Sequence, residues 1–200
     1  MADDTGKLRG LDLFSGIGGI SLALQRWCET VCYVEIDPYS CGVLTKNMAE
    51  GYLDAAPIWS DVQTFGEPEL ARVGPVDIIC GGFPCQDLSV AGKREGINGK
   101  RSGLFFEIIR LVRLARPRYI FLENVPGLLV GGMDTVLGEL AEAGYDAEWT
   151  VLGADDIGAN HRRKRVWILA HANGQGELQP TAGGNQPGDG IGNSGPDVAD

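Results

Sequence analysis

Short apolar runs separated by amphipathic stretches fill most of the 200-residue chain. The runs at 8–14, 31–35, 56–59, 76–82, 119–123, 147–152 and 165–170 have the length and branched or aromatic content of β-strands. Between them, 19–27, 38–49, 103–116 and 133–143 carry apolar residues at helical spacing. In the third of these, Leu104, Ile108, Leu111, Val112 and Ala115 form an apolar side, while Glu107, Arg110 and Arg113 recur three apart. Ser102 stands where it caps the start, and Pro117 stops the end. Strand and helix in alternation predict an α/β fold, a mostly parallel sheet covered by helices. No long helix separates the last two strand candidates, so a terminal antiparallel hairpin is expected there.

From Ala172 onward the texture changes. Residues 172–200 hold eight glycines, three prolines and no Lys or Arg. Such a stretch cannot bury enough apolar surface to offset its ordering entropy. The expected division is a folded domain over 1–171 and, over 172–200, a disordered tail or the start of a further domain.

Composition narrows the class. Hydrophobic residues make up 44%, which is ordinary for a chain that buries a core. No apolar run approaches the roughly 20 residues of a membrane span. The N-terminal Met-Ala-Asp-Asp-Thr-Gly-Lys has neither the charge nor the apolar core of a secretory signal. Cysteines at 28, 32, 41, 80 and 85 are odd in number, and Cys28-x-x-x-Cys32 lacks the second pair of a zinc site. The reading is a reduced, cytosolic chain with one working thiol, four packing thiols and no metal. The net charge of −10 argues against a polyanionic partner until its distribution is considered. Residues 88–118 hold eight Lys/Arg against two acids, and Arg162, Arg163, Lys164 and Arg165 are consecutive. Two basic segments can form a local phosphate-binding surface. Arg110, Arg113 and Arg116 taken alone read more readily as solvated charge.

The candidate chemistry sits where strands end. Asp12-Leu13-Phe14-Ser15-Gly16-Ile17-Gly18-Gly19 follows the first strand and opens the first helix. Glu35 ends the second strand, where a carboxylate binds ribose hydroxyls. Asp61, after the third, reads either as a contact for an adenine amino group or as a turn cap. The glycines give G-x-G-G, not the dinucleotide G-x-G-x-x-G, so a ribose-containing cofactor is indicated more firmly than its identity. The fourth strand ends in Gly81-Gly82-Phe83-Pro84-Cys85-Gln86, a mount for a nucleophilic thiol. The fifth ends in Glu123, and a thiol and a carboxylate at adjacent strand ends can attack a ring on one side and protonate it on another.

These segments, with Glu35-Ile36-Asp37, Glu123-Asn124-Val125 and His161-Arg162-Arg163-Lys164-Arg165, resemble the ordered motifs of DNA (cytosine-5)-methyltransferases across residues 8–170. Adenine and N4-cytosine methyltransferases carry an acid- or Asn-Pro-Pro-aromatic motif where this chain has Pro-Cys-Gln. The resemblance implies a Rossmann-like S-adenosylmethionine-dependent methyltransferase fold. It implies S-adenosylmethionine held by Phe14, Gly16, Gly18, Glu35 and Asp61, with Pro84 and Leu104 near its other end. Cys85 becomes the nucleophile that adds to carbon 6 of cytosine, and Glu123 holds or protonates ring nitrogen 3. Arg163 and Arg165 orient the pyrimidine carbonyl and the carboxylate. Double-stranded DNA becomes the partner, with the target base flipped out. Gln86 and Ser89 are then candidates for contacts to the target nucleotide. Lys93 and Arg94 belong to the basic, glycine-punctuated segment 86–102, expected to act as a lid. The implied setting is cytoplasmic and nucleoid-associated, prokaryotic or phage-like, as in restriction-modification.

The chain departs from the family pattern at His161, where Gln is usual. The family also continues into a target-recognition domain and a final motif that completes the cofactor site. Neither appears before Asp200, so a truncated product, a fragment or one half of a split enzyme is expected, with a separate chain supplying the remainder. Three other readings stay open at this point: a transfer-RNA cytosine-5 methyltransferase, an inactive remnant that binds cofactor or DNA, and a nicotinamide oxidoreductase.

Overall fold

A computed structural model describes residues 6–84 and 103–174. The elements run β1 (Leu8–Leu13), α1 (Gly19–Leu24), β2 (Cys28–Val34), α2 (Pro38–Ala49), β3 (Ile58–Trp59), α3 (Glu67–Val73) and β4 (Ile78–Gly82). They continue as α4 (Leu104–Ala115), β5 (Tyr119–Asn124), α5 (Leu128–Gly131), α6 (Met133–Glu142), β6 (Tyr145–Leu152) and β7 (Arg165–Ala172). Seven strands form one sheet in the order β3-β2-β1-β4-β5-β7-β6. All neighbours are parallel except at β7, which runs antiparallel to both β5 and β6. The α/β sheet and its antiparallel end are those the sequence predicts.

The strand order reverses between β1 and β4. From β1 the chain steps outward to β2 and β3, then returns to lay β4 on the other side. A crevice opens beyond the carboxyl ends of two strands whose connections leave in opposite directions. Here those ends are Leu13 and Gly81, which face each other in register. A Cβ on Gly81 would lie 2.3 Å from the Leu13 carbonyl oxygen, so only glycine allows this approach. The core beneath contains Leu11, Leu13, Ile79, Phe105, Ile108, Leu111, Ile120, Leu122 and Ile168. On the opposite face, Phe121 and Trp167 stack 5.4 Å apart. With Ile20, Ala23 and Leu24 of α1 they line an apolar groove of about 550 Å³ that also takes in Trp149, Leu152 and Leu169. Those last three side chains remain exposed.

Differences from expectation have local causes. β2 starts at Cys28, three residues earlier than the apolar run suggests. Thr30 stands just before that run, yet it is buried, with its N–H donating to Asp54 Oδ2 at 2.8 Å and its hydroxyl to Ser21 Oγ at 2.9 Å. α3 has too few apolar residues to show periodicity. It forms because Pro68 sits in its first turn and Glu69 accepts the Gly66 N–H at 2.9 Å. Cys28, Cys32 and Cys80 are buried and Cys41 partly so, all as free thiols. Burial pushes the Cys28 thiol up to about 12 and the Cys32 thiol to about 11, which keeps both protonated and inert. No described helix is long and apolar enough to cross a membrane.

Two glycines should respond oppositely to alanine. Gly81→Ala forces a side chain against backbone and is expected to cost about 1–3 kcal/mol. Gly42→Ala, exposed within α2 with nothing within 4 Å of the new Cβ, is expected to add about 0.5–1 kcal/mol. Urea unfolding of the two variants beside the parent reads both signs.

Candidate active site

The loop from β1 to α1 is held in an unusual backbone. Phe14, Gly16 and Gly18 have φ of 54°, 54° and 88°. For Phe14 a left-handed backbone costs about 1–3 kcal/mol, and the surroundings must hold it. Ser15 supplies that hold. Its N–H donates to the Val34 carbonyl at 3.1 Å, its hydroxyl donates to the Asp12 carbonyl at 2.7 Å, and its Oγ accepts the Val34 N–H at 3.2 Å. Glu35 grips the loop from the side. One carboxylate oxygen accepts the Gly16 N–H and the other the Asp37 N–H, both at 2.7 Å. Each oxygen keeps a further lone pair, so the carboxylate can still accept hydroxyl donors.

Five of the seven residues expected to bind cofactor line one cavity of about 280 Å³: Phe14, Glu35, Asp61, Pro84 and Leu104. Val34, Ile36, Ser60, Val62 and Gly82 complete it. Two carboxylates and the Ser60 hydroxyl on largely apolar walls suit a flat heterocycle carrying an amino group, together with a sugar diol. The donor set therefore fits an adenosine moiety. Asp61 lines this cavity, and its Oδ1 accepts the Gln63 N–H at 2.9 Å as a turn cap does. Gly16 lines the neighbouring cavity instead. Gly18 lines neither of the two; a Cβ there would lie 2.4 Å from Leu53 Cδ1.

The second cavity, of about 600 Å³, brings together Glu123, Arg163 and Arg165 with Ser15, Gly16, Ile17 and Trp167. The guanidinium of Arg165 pairs with the carboxylate of Glu123, and both side chains are about three-quarters buried. Arg165 also donates from Nη1 to the Lys164 carbonyl at 2.8 Å. Arg163 is exposed at the cavity edge, and its carbonyl accepts the Ala154 N–H at 3.3 Å. Phe14 and Gly82 line both cavities, so the two adjoin at the tip of the β1–β4 crevice. A Cβ on Gly82 would stand 2.8 Å from Glu123 Oε2. Beside the second cavity, His161, Arg162, Arg163, Lys164, Arg165 and Pro126 surround an open hollow.

Sequence reasoning assigned no role to Asn124. It is buried, donates from Nδ2 to the Phe83 carbonyl at 3.3 Å, and accepts the Val125 N–H at 2.8 Å. It thereby ties the end of β5 to the chain leaving β4. Phe83 is buried against Phe105, ring centroids 5.2 Å apart. The chain at Phe83, just beyond β4, is thus held through both its carbonyl and its ring. Cys85, Gln86, Ser89, Lys93 and Arg94, the proposed lid and residues 175–200 lie outside the described residues.

Asp12 was also missed, although an acid within an apolar strand is a visible signal. It is 1% exposed; Oδ2 accepts the Ser21 hydroxyl at 2.6 Å, and Oδ1 has no hydrogen-bond partner. Burial pushes its carboxyl up to about 7, against the lesser opposing effect of the Ser21 hydrogen bond. The folded state therefore holds a proton that the unfolded chain releases near pH 4. The stability Asp12 contributes is present at low pH and declines as pH rises from about 4 to about 7. Asp12→Asn removes that decline. In urea unfolding at pH 5 and pH 8, the parent should lose stability relative to Asp12→Asn as pH rises; a constant difference would show a carboxylate ionised in both states.

The chain matches the family described as C-5 cytosine-specific DNA methylase over residues 8–187. It is 38% identical over 172 residues to the type II methyltransferase M2.BsuMI of Bacillus subtilis, covering 82% of this chain and 42% of that protein. It is 35% identical over 165 residues to the type II methyltransferase M.CviJI of Paramecium bursaria Chlorella virus IL3A, covering 82% and 43%. Among solved structures, the Dnmt2 methyltransferase of S. pombe superposes with a TM-score of 0.67 at 27% identity, over 86% of this chain and 53% of that one. The chain thus spans less than half the length of these two curated relatives. With the motifs in order along a matching sheet, the chain belongs to the C-5 cytosine-specific DNA methylase family.

Proposed function

We propose that this chain carries the cofactor-binding and catalytic part of an enzyme that methylates carbon 5 of cytosine in double-stranded DNA, with S-adenosylmethionine as donor. One observation carries the reading. The cavity holding Glu123, Arg163 and Arg165 adjoins the cavity holding Glu35 and Asp61, beside the strand end that leads through Phe83 and Pro84 into Cys85. A nicotinamide oxidoreductase would leave the Glu123–Arg165 pair and Cys85 without work.

The donor, when bound, supplies an electrophilic methyl group on a sulfonium. Glu35 and Asp61 would hold its sugar and base, with Phe14, Pro84 and Leu104 excluding water. Carbon 5 of cytosine is too weak a nucleophile to take a methyl group unaided. Cys85, as thiolate, adds to carbon 6 and shifts electron density to carbon 5, dividing one hard step into easier ones. Glu123 delivers or holds a proton at ring nitrogen 3 and offsets the charge made by addition. Arg165 keeps that carboxylate oriented, and Arg163 faces the pyrimidine carbonyl. Loss of the carbon-5 proton to water then re-forms the 5,6 double bond as the bond between carbon 6 and the Cys85 sulfur breaks. The run from His161 to Arg165 supports phosphate contacts around a flipped base, with Gln86, Ser89, Lys93 and Arg94 contributing from the segment after the nucleophile. With DNA as substrate, the enzyme would work at a nucleoid or a phage genome.

The remaining half of the enzyme would come from a separate chain or segment that supplies target recognition and closes the cofactor site. The exposed Trp149, Leu152 and Leu169 around an apolar groove support a covering segment there. Residues 172–200 would form the tail or the start of that recognition region.

Two measurements test this reading. The chain, co-expressed with the C-terminal half of a full-length relative, should form a covalent adduct with a duplex containing 5-fluorocytosine when the methyl donor is added. Cys85→Ser should abolish the adduct, and an adduct that persists in this variant overturns the mechanism. Glu35→Gln should weaken S-adenosylmethionine binding by about tenfold in calorimetry, since an amide cannot accept both backbone N–H groups and a diol.

A further inference from the structure

Arg110 stands on α4 outside the row of Phe105, Ile108, Ile109, Leu111 and Val112 that enters the core. It is nevertheless about two-thirds buried. Its Nε donates to Glu107 Oε2 at 2.7 Å, while Nη2 donates to the Val62 and Phe65 carbonyls, each at 2.9 Å. Those two carbonyls lie at the start of the 3-10 turn Val62–Thr64, whose cap is Asp61, and just past its end. The turn is closed internally by the Thr64 hydroxyl, which donates to the Asp61 carbonyl at 2.9 Å. Arg110 closes it externally, against α4. Asp61 and Val62 form one part of the 280 Å³ cavity wall, and Leu104, at the start of α4, forms another. Arg110 does not line the cavity itself.

We infer that Arg110, braced by Glu107, is a positioning residue that sets the spacing between the Asp61 turn and the α4 wall of the cofactor cavity. The inference rests on the cofactor reading above. A guanidinium suits the task because its rigid fork serves two carbonyls and a carboxylate at once, which a lysine ammonium on a flexible stem cannot do in the same plane. The turn and the helix are each anchored in the core without it, through the buried Val62, Phe65 and Phe105. What the guanidinium adds is the register of a polar turn whose aspartate must meet a ligand. Arg113, one turn further along α4, gives a natural contrast. It pairs with Glu139 at 3.1 Å and Glu142 at 4.0 Å on α6, away from the cavity.

Calorimetric titration of the chain co-expressed with the C-terminal half of a full-length relative, with S-adenosylmethionine and separately with adenosine, tests the clamp, with melting temperatures recorded alongside. Arg110→Met should weaken both ligands by a common factor of about ten, Arg110→Lys by an intermediate factor, and Arg113→Met by less than about twofold even where it melts as low. Binding of both ligands to Arg110→Met within about twofold of the parent overturns the inference, as does equal weakening in an equally destabilised Arg113→Met. Should Arg110→Met not fold, Arg110→Lys decides by the same limit. A parent that binds neither ligand overturns the cofactor assignment, and the clamp with it; a parent that binds while the Arg110 variants match it overturns the clamp alone.

Discussion

The contact between the Leu13 carbonyl and Gly81 governs the rest of the site. Strands β1 and β4 pair in register up to these residues, and no side chain other than hydrogen fits at position 81. Their connections then leave in opposite directions, one through the Phe14–Gly18 loop and the other through Phe83 and Pro84. Both cavities grow from that divergence, and the residues they share, Phe14 and Gly82, are the first to follow β1 and the last of β4. Were the strands held further apart, the two cavities would lose their common wall.

Backbone groups do much of the holding around that point. Glu35 grips two amides, Ser15 ties β1 to β2, Asn124 reaches a carbonyl beyond β4, and Arg110 bridges two carbonyls of one turn. Apart from the local Asp37–Glu35 bond, each joins a side chain to a main-chain group 19 to 48 residues away, so these loops inherit the rigidity of the sheet. The net charge of −10 obscures a division of labour. Acids lie in or near the cavity that suits a cofactor, whereas consecutive cations surround the hollow beside Glu123.

Strands rich in Val, Ile and Leu were legible because their apolar runs have the right length, and so was the antiparallel end, because no helix separates its strands. The start of β2 and the whole of α3 were hidden, since Thr30 is buried with its hydrogen bonds made and α3 rests on capping more than on an apolar stripe. Within the candidate site, Glu35, Asp61 and Glu123 stood out because they follow or end strands, and Arg165 because it falls in the segment that resembles a family motif. Asn124 and Arg110 could not, because their partners lie 41 to 48 residues away and nothing local hints at the pairing. Arg110, which read as solvated charge, is a clamp between elements. At Gly18 a side chain would meet Leu53, a packing reason for glycine that the sequence does not reveal.

The reversed direction of β7 alters which end of a strand can contribute to the edge that holds the cavities. Every parallel strand delivers its last residues there, and whatever follows must then travel back across the sheet. β7 delivers its first residue, Arg165, beside the last turn of β5, and its far end is left at the opposite edge. The cations just upstream are therefore tethered by the connection from β6, not by a helix crossing. That connection can lengthen, shorten or change sequence without moving any buried strand, so the fold keeps an adjustable cationic rim on an otherwise fixed frame.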